Sequence, residues 1–508
     1  MAKIGKENLG QSTLKNTFWN FFFNIVTKAG GLIFTIVMAR LLLPELFGQY
    51  ALALSVILLL LGLIEYGINL TSLKYVSEEL GKNNKVRARS YFKFCLLMKI
   101  FVAGFLAIAL FLLSRVISEN ILNKPYISLS LQIGALYLFV TSLLTSFLYF
   151  AYSVKKIKYV FASEAIFQVS RILLVSLFIG ILKYRVESIL FALILSSSFS
   201  LVFLFIITKK KYPFLLHGET VEIDKKRLMK FLFFTSIAGI STTFFLHVDT
   251  VMLGALISDT SVVGFYQVAL NIVTGIAALM SFAQVSFPVF AQLRGKKLAK
   301  FFEKFVYYSA IISIPSAIGL IFVVKPFIIY LFGTEYLAAI IPLYILSFLI
   351  VEMVTGVFFN TILISKGKPQ YVAKITLVTA IISILLNFIF IKWLSSIKPI
   401  YGALGAAIAA FISRYFYVFS LAIISKRELN VGVRMSLILK PIFASIIMVI
   451  PMIIISNIQP LSILFSTIAI VIGAILYFTV LIFIKGINRE DIKLLKLLIL
   501  RKKSIDKI

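Results

Sequence analysis

Apolar blocks of about 20 residues, separated by short polar segments, follow one another along the whole chain. A helix rises ~1.5 Å per residue, so each block is long enough to cross the ~30 Å hydrocarbon core of a bilayer. The blocks are too long and too uniformly apolar for the alternating ~10-residue strands of an outer-membrane barrel. We therefore predict fourteen membrane-spanning helices, numbered here as spans 1 to 14. They cover 16–40, 50–73, 92–113, 127–152, 160–182, 187–208, 230–257, 262–291, 303–324, 337–365, 371–391, 401–424, 437–456 and 461–484.

The composition supports the same fold class, an all-α polytopic membrane protein. Of the 508 residues, 61% are hydrophobic and 14% are charged, which is too few polar side chains for a water-exposed surface. Cys95 is the only cysteine, which excludes an intramolecular disulfide and a thiolate metal site. We expect no cleavable signal peptide, because no small-residue cleavage site accompanies the first apolar block.

The net charge of +31 is divided unevenly between the two sides of the predicted membrane. With the N-terminus inside, the cytoplasmic segments hold 39 Lys and Arg residues and the outer segments hold 7. Positive residues collect in the cytoplasmic loops of membrane proteins, so this asymmetry predicts that both termini are cytoplasmic. It also argues against a basic surface for nucleic acid. We expect a multi-pass protein of the cytoplasmic membrane.

Two sequence motifs occur twice, once in each half of the chain. The pattern G-x-Y-x-x-A-L stands at 48–54 and again at 264–270. The pattern S-x-x-K-x-x-Y-V stands at 153–160 and again at 365–372, which is nearly the same offset. Six spans separate the copies, so the halves have the same orientation and are related by an axis along the membrane normal.

The repeat predicts two parallel six-helix lobes with two further helices at the end. Rocking of one lobe against the other would open a central cleft to alternate sides of the membrane. The C-terminal tail alternates Leu and Ile with Lys and Arg, which is typical of an amphipathic helix on the inner membrane surface. The predicted parts are the first lobe at 1–208, a basic linker at 209–229, the second lobe at 230–424, the two extra helices at 425–484 and the tail at 485–508.

Nine ionisable residues lie within the predicted spans and are the candidates for function. A charge deep in a bilayer costs ~2.5–3.5 kcal/mol on insertion scales unless it faces protein or water, so such residues point to a transport pathway. Cations would suit an anionic head group, and acids could compensate them or carry a coupling ion. Snorkelling at the interface and structural ion pairs between helices remain open for each residue. The candidate substrate-binding cations are Lys28, Arg40, Lys99, Arg171 and Arg414, and the candidate coupling-ion or charge-compensating acids are Glu65, Glu164, Asp249 and Glu352.

Other chemistry finds little support in the sequence. His247 and Asp249 have no third His or Cys nearby, so we expect no metal site. No phosphate-binding loop of the form G-x-x-x-x-G-K-[ST] occurs. No loop is large enough to form an active site, so we expect neither an enzyme nor a cofactor.

A further set of residues is distributed over both halves of the chain: Trp19, Asn20, 39–51, 66–78, 249–254, 263–266 and Pro288. Together they resemble the motifs of the polysaccharide-repeat-unit flippases, the Wzx or polysaccharide transporter family of the multidrug, oligosaccharidyl-lipid and polysaccharide exporters. That resemblance implies two six-helix lobes in a V around a cationic cavity. It implies transport of a polyprenyl-(pyro)phosphate-linked oligosaccharide from the inner to the outer leaflet, close packing at an outer gate by Gly48 and Gly264, and a helix end at Pro44. Glycosyltransferases or a polymerase of the same pathway are the expected partners, with H⁺ or Na⁺ as the coupling ion.

An ion-coupled exporter of drugs or small molecules is the alternative within the same superfamily. An exporter of cationic drugs should have a mainly acidic or apolar interior, whereas the candidates here are five cations and four acids. A membrane scaffold or a receptor is a third interpretation, but neither needs buried charges in so many helices.

Overall fold

The computed structural model describes residues 9–181, 186–280, 283–458 and 461–487. All the regular structure in these ranges is helical, which confirms the all-α class. The α-helices are α1 (Leu9–Leu41), α2 (Pro44–Gly81), α3 (Lys85–Val116), α4 (Ser128–Ser153), α5 (Ile157–Val175), α6 (Val186–Lys211), α7 (Pro213–Leu216), α8 (Lys225–Leu256), α9 (Ser261–Met280), α10 (Ala283–Gln292), α11 (Gly295–Leu331), α12 (Ile340–Leu346), α13 (Leu349–Val351), α14 (Val357–Ser365), α15 (Pro369–Ser395), α16 (Tyr401–Leu429), α17 (Met435–Ile458) and α18 (Ile463–Phe483).

The predicted spans are confirmed as helices of membrane-crossing length. Within the described ranges, 13 helices are long and apolar enough to cross a bilayer, and a bent pair of helical segments provides one more. Several helices extend beyond the predicted apolar block. The α2 helix begins at Pro44, which suits a first helical position because that position needs no N–H donor. It then continues past the apolar block to Gly81.

Two predicted spans are interrupted in the structure. Span 8 is divided between α9 and α10, which lie on either side of the undescribed residues 281–282. Span 10 is bent by 56° between the segments Thr334–Leu346 and Leu349–Ser365. A π-helical turn at Glu352–Gly356 follows that bend, and such turns interrupt the regular i to i−4 ladder of a helix.

The chain forms two compact units. The first contains α1 to α8, α9 as far as Gly275, residues 341–345, α15 and α16 as far as Tyr417. The second contains the rest of α9, α10, α11, the remaining parts of α12 to α14, the end of α16, α17 and α18. This division does not fall at the 209–229 linker, and the division into two six-helix lobes remains a prediction.

In the first unit, α2 packs antiparallel along α8 through small residues. Gly62 lies against Thr243, Gly67 against Ser236, and Leu52 against Gly254, so residue numbers rise on one helix as they fall on the other. Small residues let helix backbones approach closely within a membrane, where packing rather than hydrophobic burial drives association. This seam joins the predicted first and second halves of the chain.

In the second unit, α17 and α18 pack against α11. Pro315 lies inside α11 and has no N–H, so the carbonyl of Ile311, four residues earlier, loses its helical donor. The hydroxyl of Tyr477 donates to that carbonyl at 2.8 Å. The pairing satisfies a backbone group that lipid could not solvate, and it fixes α18 on α11. Except for 485–487, the predicted amphipathic tail lies outside the described residues.

Candidate functional site

Asp249 of α8 is held in a buried cluster of neutral donors from two other helices. Its side chain is 2% exposed. Oδ1 accepts from Asn387 Nδ2 of α15 at 2.7 Å and from Ser383 Oγ at 3.3 Å. Oδ2 accepts from Tyr266 Oη of α9 at 3.1 Å. The carboxylate is thus bound on both oxygens, as a buried acid must be if it is to remain charged.

A buried cation lies close enough to Asp249 to act on it electrostatically. The guanidinium of Arg414 in α16 interacts electrostatically with the carboxylate of Asp249. Arg414 is 4% exposed. Its guanidinium stands 5.0 Å from the centre of the Phe245 ring. Asp249 and Arg414 therefore form a charge-compensated centre. The structure brings these two predicted site residues together.

Two other predicted site residues, Lys99 and Glu65, are linked through a threonine. Lys99 is fully buried in α3, and its Nζ donates to Asn69 Oδ1 and to Thr145 Oγ1, each at 2.6 Å. Thr145 donates in turn to Glu65 Oε1 at 2.8 Å. The ammonium and the carboxylate are thereby linked by a polar chain across α2, α3 and α4. This arrangement compensates both charges within the first unit.

Arg171 of α5 is surrounded by aromatic rings. Its guanidinium lies 4.3 Å from the centre of the Phe34 ring and 5.0 Å from that of Phe167. Tyr50, Tyr137 and Glu164 are its ionisable neighbours. Arg171 is half-buried, whereas Lys99 is fully buried. The role of Arg171 as a substrate-binding cation remains a prediction.

The four other predicted residues have different surroundings. Lys28 and Arg40 are exposed on α1. Glu164 is half-buried and accepts from Gln168 Nε2 of the same helix at 2.6 Å. Glu352 is buried in the second unit, where it begins the π-helical turn. Their proposed roles remain predictions.

The two copies of the G-x-Y-x-x-A-L motif contact each other at the ends of α2 and α9. A side-chain carbon added to Gly48 would meet the carbonyl oxygen of Thr260, and one added to Gly264 would meet the carbonyl oxygen of Pro44. Thr260 holds the same position relative to the second copy of the motif as Pro44 holds relative to the first. The contact is therefore made by equivalent residues of the two copies. It lies at the end of the helices where the loops hold few Lys and Arg residues, here named the Lys/Arg-poor end.

Lys124, which the sequence places in a loop at that end, is almost completely buried. It is 1% exposed, and its Nζ donates to the carbonyls of Gly254 at 2.7 Å and Ile257 at 2.6 Å. Burial lowers the pKa of the Lys124 ammonium, and the carboxylate of Asp259 opposes that shift. Nearby, Thr260 Oγ1 donates to the carbonyl of Glu45 at 3.2 Å. These bonds link the first half of the chain to the second.

Sequence reasoning missed the neutral and loop residues that complete these clusters. Asn69, Thr145, Ser383 and Asn387 carry no charge and match no motif, so only their positions in apolar helices marked them as unusual. Lys124 was one of the 7 basic residues counted in the outer loops. The sequence around it gives no signal of burial.

The family follows from comparison with known proteins. Residues 13–294, more than half of the chain, match the family model described as "Polysaccharide biosynthesis protein". The chain belongs to this family. Membership confirms the resemblance to the polysaccharide transporters that the motifs indicated.

One curated relative belongs to the same kind of pathway. Over 167 residues, this member of the polysaccharide biosynthesis family is 29% identical to the capsular polysaccharide biosynthesis protein CapF of Staphylococcus aureus. The match covers 32% of this chain and 40% of CapF, less than half the length of either protein.

Solved structures show the fold over nearly the whole length. The polysaccharide biosynthesis family member is similar to the lipid II flippase MurJ in an inward closed conformation, with a TM-score of 0.74, 17% identity and coverage of 93% of this chain and 99% of MurJ. It is also similar to an inward-facing multidrug resistance MATE transporter, with a TM-score of 0.62, 13% identity and coverage of 80% of this chain and 96% of the transporter. At these identities the likeness concerns the fold. Family and fold together indicate a multi-pass membrane protein of the polysaccharide biosynthesis family with the fold of these transporters.

Proposed function

We propose that this protein moves polyprenyl-(pyro)phosphate-linked oligosaccharide units from the inner to the outer leaflet of the cytoplasmic membrane. The proposal rests on the combination of family and fold, because a member of the polysaccharide biosynthesis family has a fold similar to that of a lipid II flippase. A polysaccharide built on a lipid in the cytoplasm needs such a step before it reaches the cell surface. Alternating access of two six-helix lobes would provide the movement.

The distribution of positive charge supports the orientation. The Lys/Arg-rich segments, with 39 basic residues against 7, would face the cytoplasm together with both termini. The Lys/Arg-poor end would then be the outer side. The two glycine motifs are in contact at that end, which supports a substrate entrance on the inner side.

Arg171 is the residue we assign to the substrate phosphate. Guanidinium groups bind phosphate through paired N–H donors, and Arg171 is half-buried beside aromatic rings that limit hydration of its charge. Lys99 and Arg414 have partners in buried clusters and are better suited to shaping the field around the pathway. Lys28 and Arg40, which are exposed, remain candidate contacts for acidic sugars.

An apolar groove in the second unit suits the lipid part of the substrate. The cavity has a volume of about 310 Å³ and lies among α9, α11, α17 and α18. Its walls include Pro315, Gly319, Met448, Met452 and Phe478. Methionine side chains adapt to irregular apolar shapes, so a flexible isoprenoid chain fits this surface better than a rigid polar molecule.

Asp249 is the residue we assign to coupling. Three neutral side chains donate to its carboxylate, and either a proton or Na⁺ could neutralise it. The same cluster also suits the alternative function, an ion-coupled exporter, and the similarity of the fold to a multidrug transporter supports that alternative. The two functions differ in the transported molecule.

The experiment reconstitutes the full chain into liposomes and measures both cargoes. One arm contains a fluorescent polyprenyl-pyrophosphate disaccharide, and dithionite quenching reports its movement between leaflets. The other arm measures uptake of ethidium. We expect faster lipid movement with the protein than without it, and a decrease of at least tenfold for Arg171→Gln. The matched control is Arg115→Gln, since the Arg115 side chain is 80% exposed. Ethidium uptake without lipid movement would favour the exporter.

A further inference from the structure

The carbonyls that Lys124 contacts belong to a helix end that lacks its own donors. The α8 helix ends at Leu256, and Ile257 is extended, with φ −114° and ψ 130°. The last carbonyls of a helix have no intrahelical N–H partner and carry the negative end of the helix dipole. Lysine side chains stabilise such ends when they reach them. Lys124 reaches this one from a part of the chain 130 residues away.

The hydrogen bonds of Lys124 join the two repeated halves. Lys124 precedes α4 in the first half, and both acceptors lie at the C-terminal end of α8 in the second. Leu52 packs against Gly254 across the same boundary, and the other neighbouring links are polar or backbone contacts. Gly48 and Gly264 face backbone carbonyls, and Thr260 donates to the carbonyl of Glu45. Apart from Leu52, these links are made by small groups and hydrogen bonds, which can separate with little repacking of large side chains.

Water can replace the hydrogen bonds of Lys124 and Thr260 when the halves separate. An ammonium and two carbonyls that are bonded in the closed state become hydrated in the open state, so the net free energy of each bond is far smaller than its strength in isolation. A contact of this kind is stable when closed and still opens without unfolding a helix. A structural tie buried in lipid would have no such exchange partner.

We infer that Lys124 stabilises the closed state of a gate at the Lys/Arg-poor end, formed by Gly48, Thr260, Gly264 and the end of α8. Its hydrogen bonds to the end of α8 are present in the closed state and break when the gate opens. Lys124 is thus a positioning residue for transport and not a ligand of the cargo. The inference rests on transport by alternating access, as proposed above. It adds a specific residue that sets the balance between the closed and open states.

The test measures exposure of the gate without using any substrate. Cys95 is the only cysteine and is buried, so a Cys95→Ala background allows a single reporter, Thr260→Cys. Thr260 is 1% exposed in the closed contact, and opening would expose it. The rate of its reaction with a membrane-impermeant maleimide is measured on the purified full chain. Lys124→Gln is compared with the reporter protein alone.

We expect Lys124→Gln to accelerate labelling at least tenfold, which corresponds to about 1.4 kcal/mol in favour of the open state. Lys398→Gln is the matched control, because Lys398 is exposed at the same end, and its labelling rate should remain unchanged. An unchanged rate in Lys124→Gln would overturn the inference. If Lys124→Gln is not recovered folded, Lys124→Met, which keeps the aliphatic stem, is measured in its place with the same two outcomes.

The liposome assay separates this inference from the proposed function. Faster labelling of Lys124→Gln in a protein that moves no lipid-linked sugar would support the role of Lys124 in gate closure and contradict the proposed substrate. Lipid movement by the parent protein, with no effect of Lys124→Gln on labelling, would support the proposed substrate and contradict the role of Lys124 in gate closure.

Discussion

The pairing of Asp249 with Arg414 predicts a measurable coupling between two substitutions. Asp249→Asn keeps the shape of the side chain and one oxygen for Asn387 and Ser383. Its new amide can donate to Tyr266, whose hydroxyl can turn from donor to acceptor. Hydrogen bonding is therefore largely conserved in this variant. The main change is the loss of a negative charge beside buried Arg414.

The magnitude follows from the burial of both groups, which are 2% and 4% exposed. Removing one partner of a buried salt bridge costs about 3–5 kcal/mol in soluble proteins, because the remaining charge is left uncompensated. Asp249 and Arg414 interact electrostatically, so this range is the upper bound for Asp249→Asn. Hydrogen bonds between membrane helices contribute less, on average ~0.6 kcal/mol each. An Asp249→Asn effect well above ~2 kcal/mol would therefore be electrostatic, since three hydrogen bonds of that average size account for no more.

The assay is a double-mutant cycle in detergent micelles, with the free energy of unfolding obtained from titration with SDS. We expect the double variant Asp249→Asn, Arg414→Gln to be more stable than the sum of the single effects by at least ~1 kcal/mol, within the ~0.5–3 kcal/mol range of energetically coupled residues. The control cycle pairs Asp249→Asn with Arg115→Gln and should be additive. If the Arg414 cycle is also additive to within ~0.5 kcal/mol, the scatter expected of independent sites, electrostatic compensation is refuted.

Two further predictions concern packing and the second charged cluster. Gly48→Ala and Gly264→Ala should each lower the free energy of unfolding by about 1–3 kcal/mol, and by similar amounts, because each added methyl meets a backbone carbonyl. Gly81→Ala, at a position with open space, is the control, and thermal unfolding in detergent should separate it from both. Lys99→Met should destabilise the protein by about 3–5 kcal/mol, because Asn69 and Thr145 lose their donor and Glu65 loses its compensating cation. Adding Glu65→Gln should recover part of that loss in the same SDS titration, and a further loss would contradict the compensation.

The membrane helices could be predicted from the sequence because the bilayer imposes one length and one polarity on every span. The position of Pro44 likewise located the boundary between α1 and α2. The bend in span 10 could not be predicted in this way. Ser347 and Phe348, where that bend occurs, lie in a segment as apolar as its neighbours, so the pattern shows one continuous block.

The candidate site was predictable to the extent that it is charged. Asp249 and Arg414 were identified by their positions in apolar helices, but their proximity depends on the packing of α8 against α15 and α16. Ser383 and Asn387, which complete the cluster, lie 134 and 138 residues from Asp249. Lys124 shows the converse difficulty. A lysine in a loop is normally expected to be exposed to solvent. The short loop that holds Lys124 packs against the end of α8, and the lysine is buried there.

The symmetric contact between the glycine motifs has the form of an isologous interface. In such an interface one surface patch meets its own copy across a two-fold axis, as in a homodimer. Here Pro44 and Gly48 meet their counterparts Thr260 and Gly264 within a single polypeptide. The linker between the halves keeps these patches at a high effective concentration. Each half then acquires its own buried charges, with Lys99 and Glu65 in one and Asp249 and Arg414 in the other, which an exact dimer of identical subunits could not do.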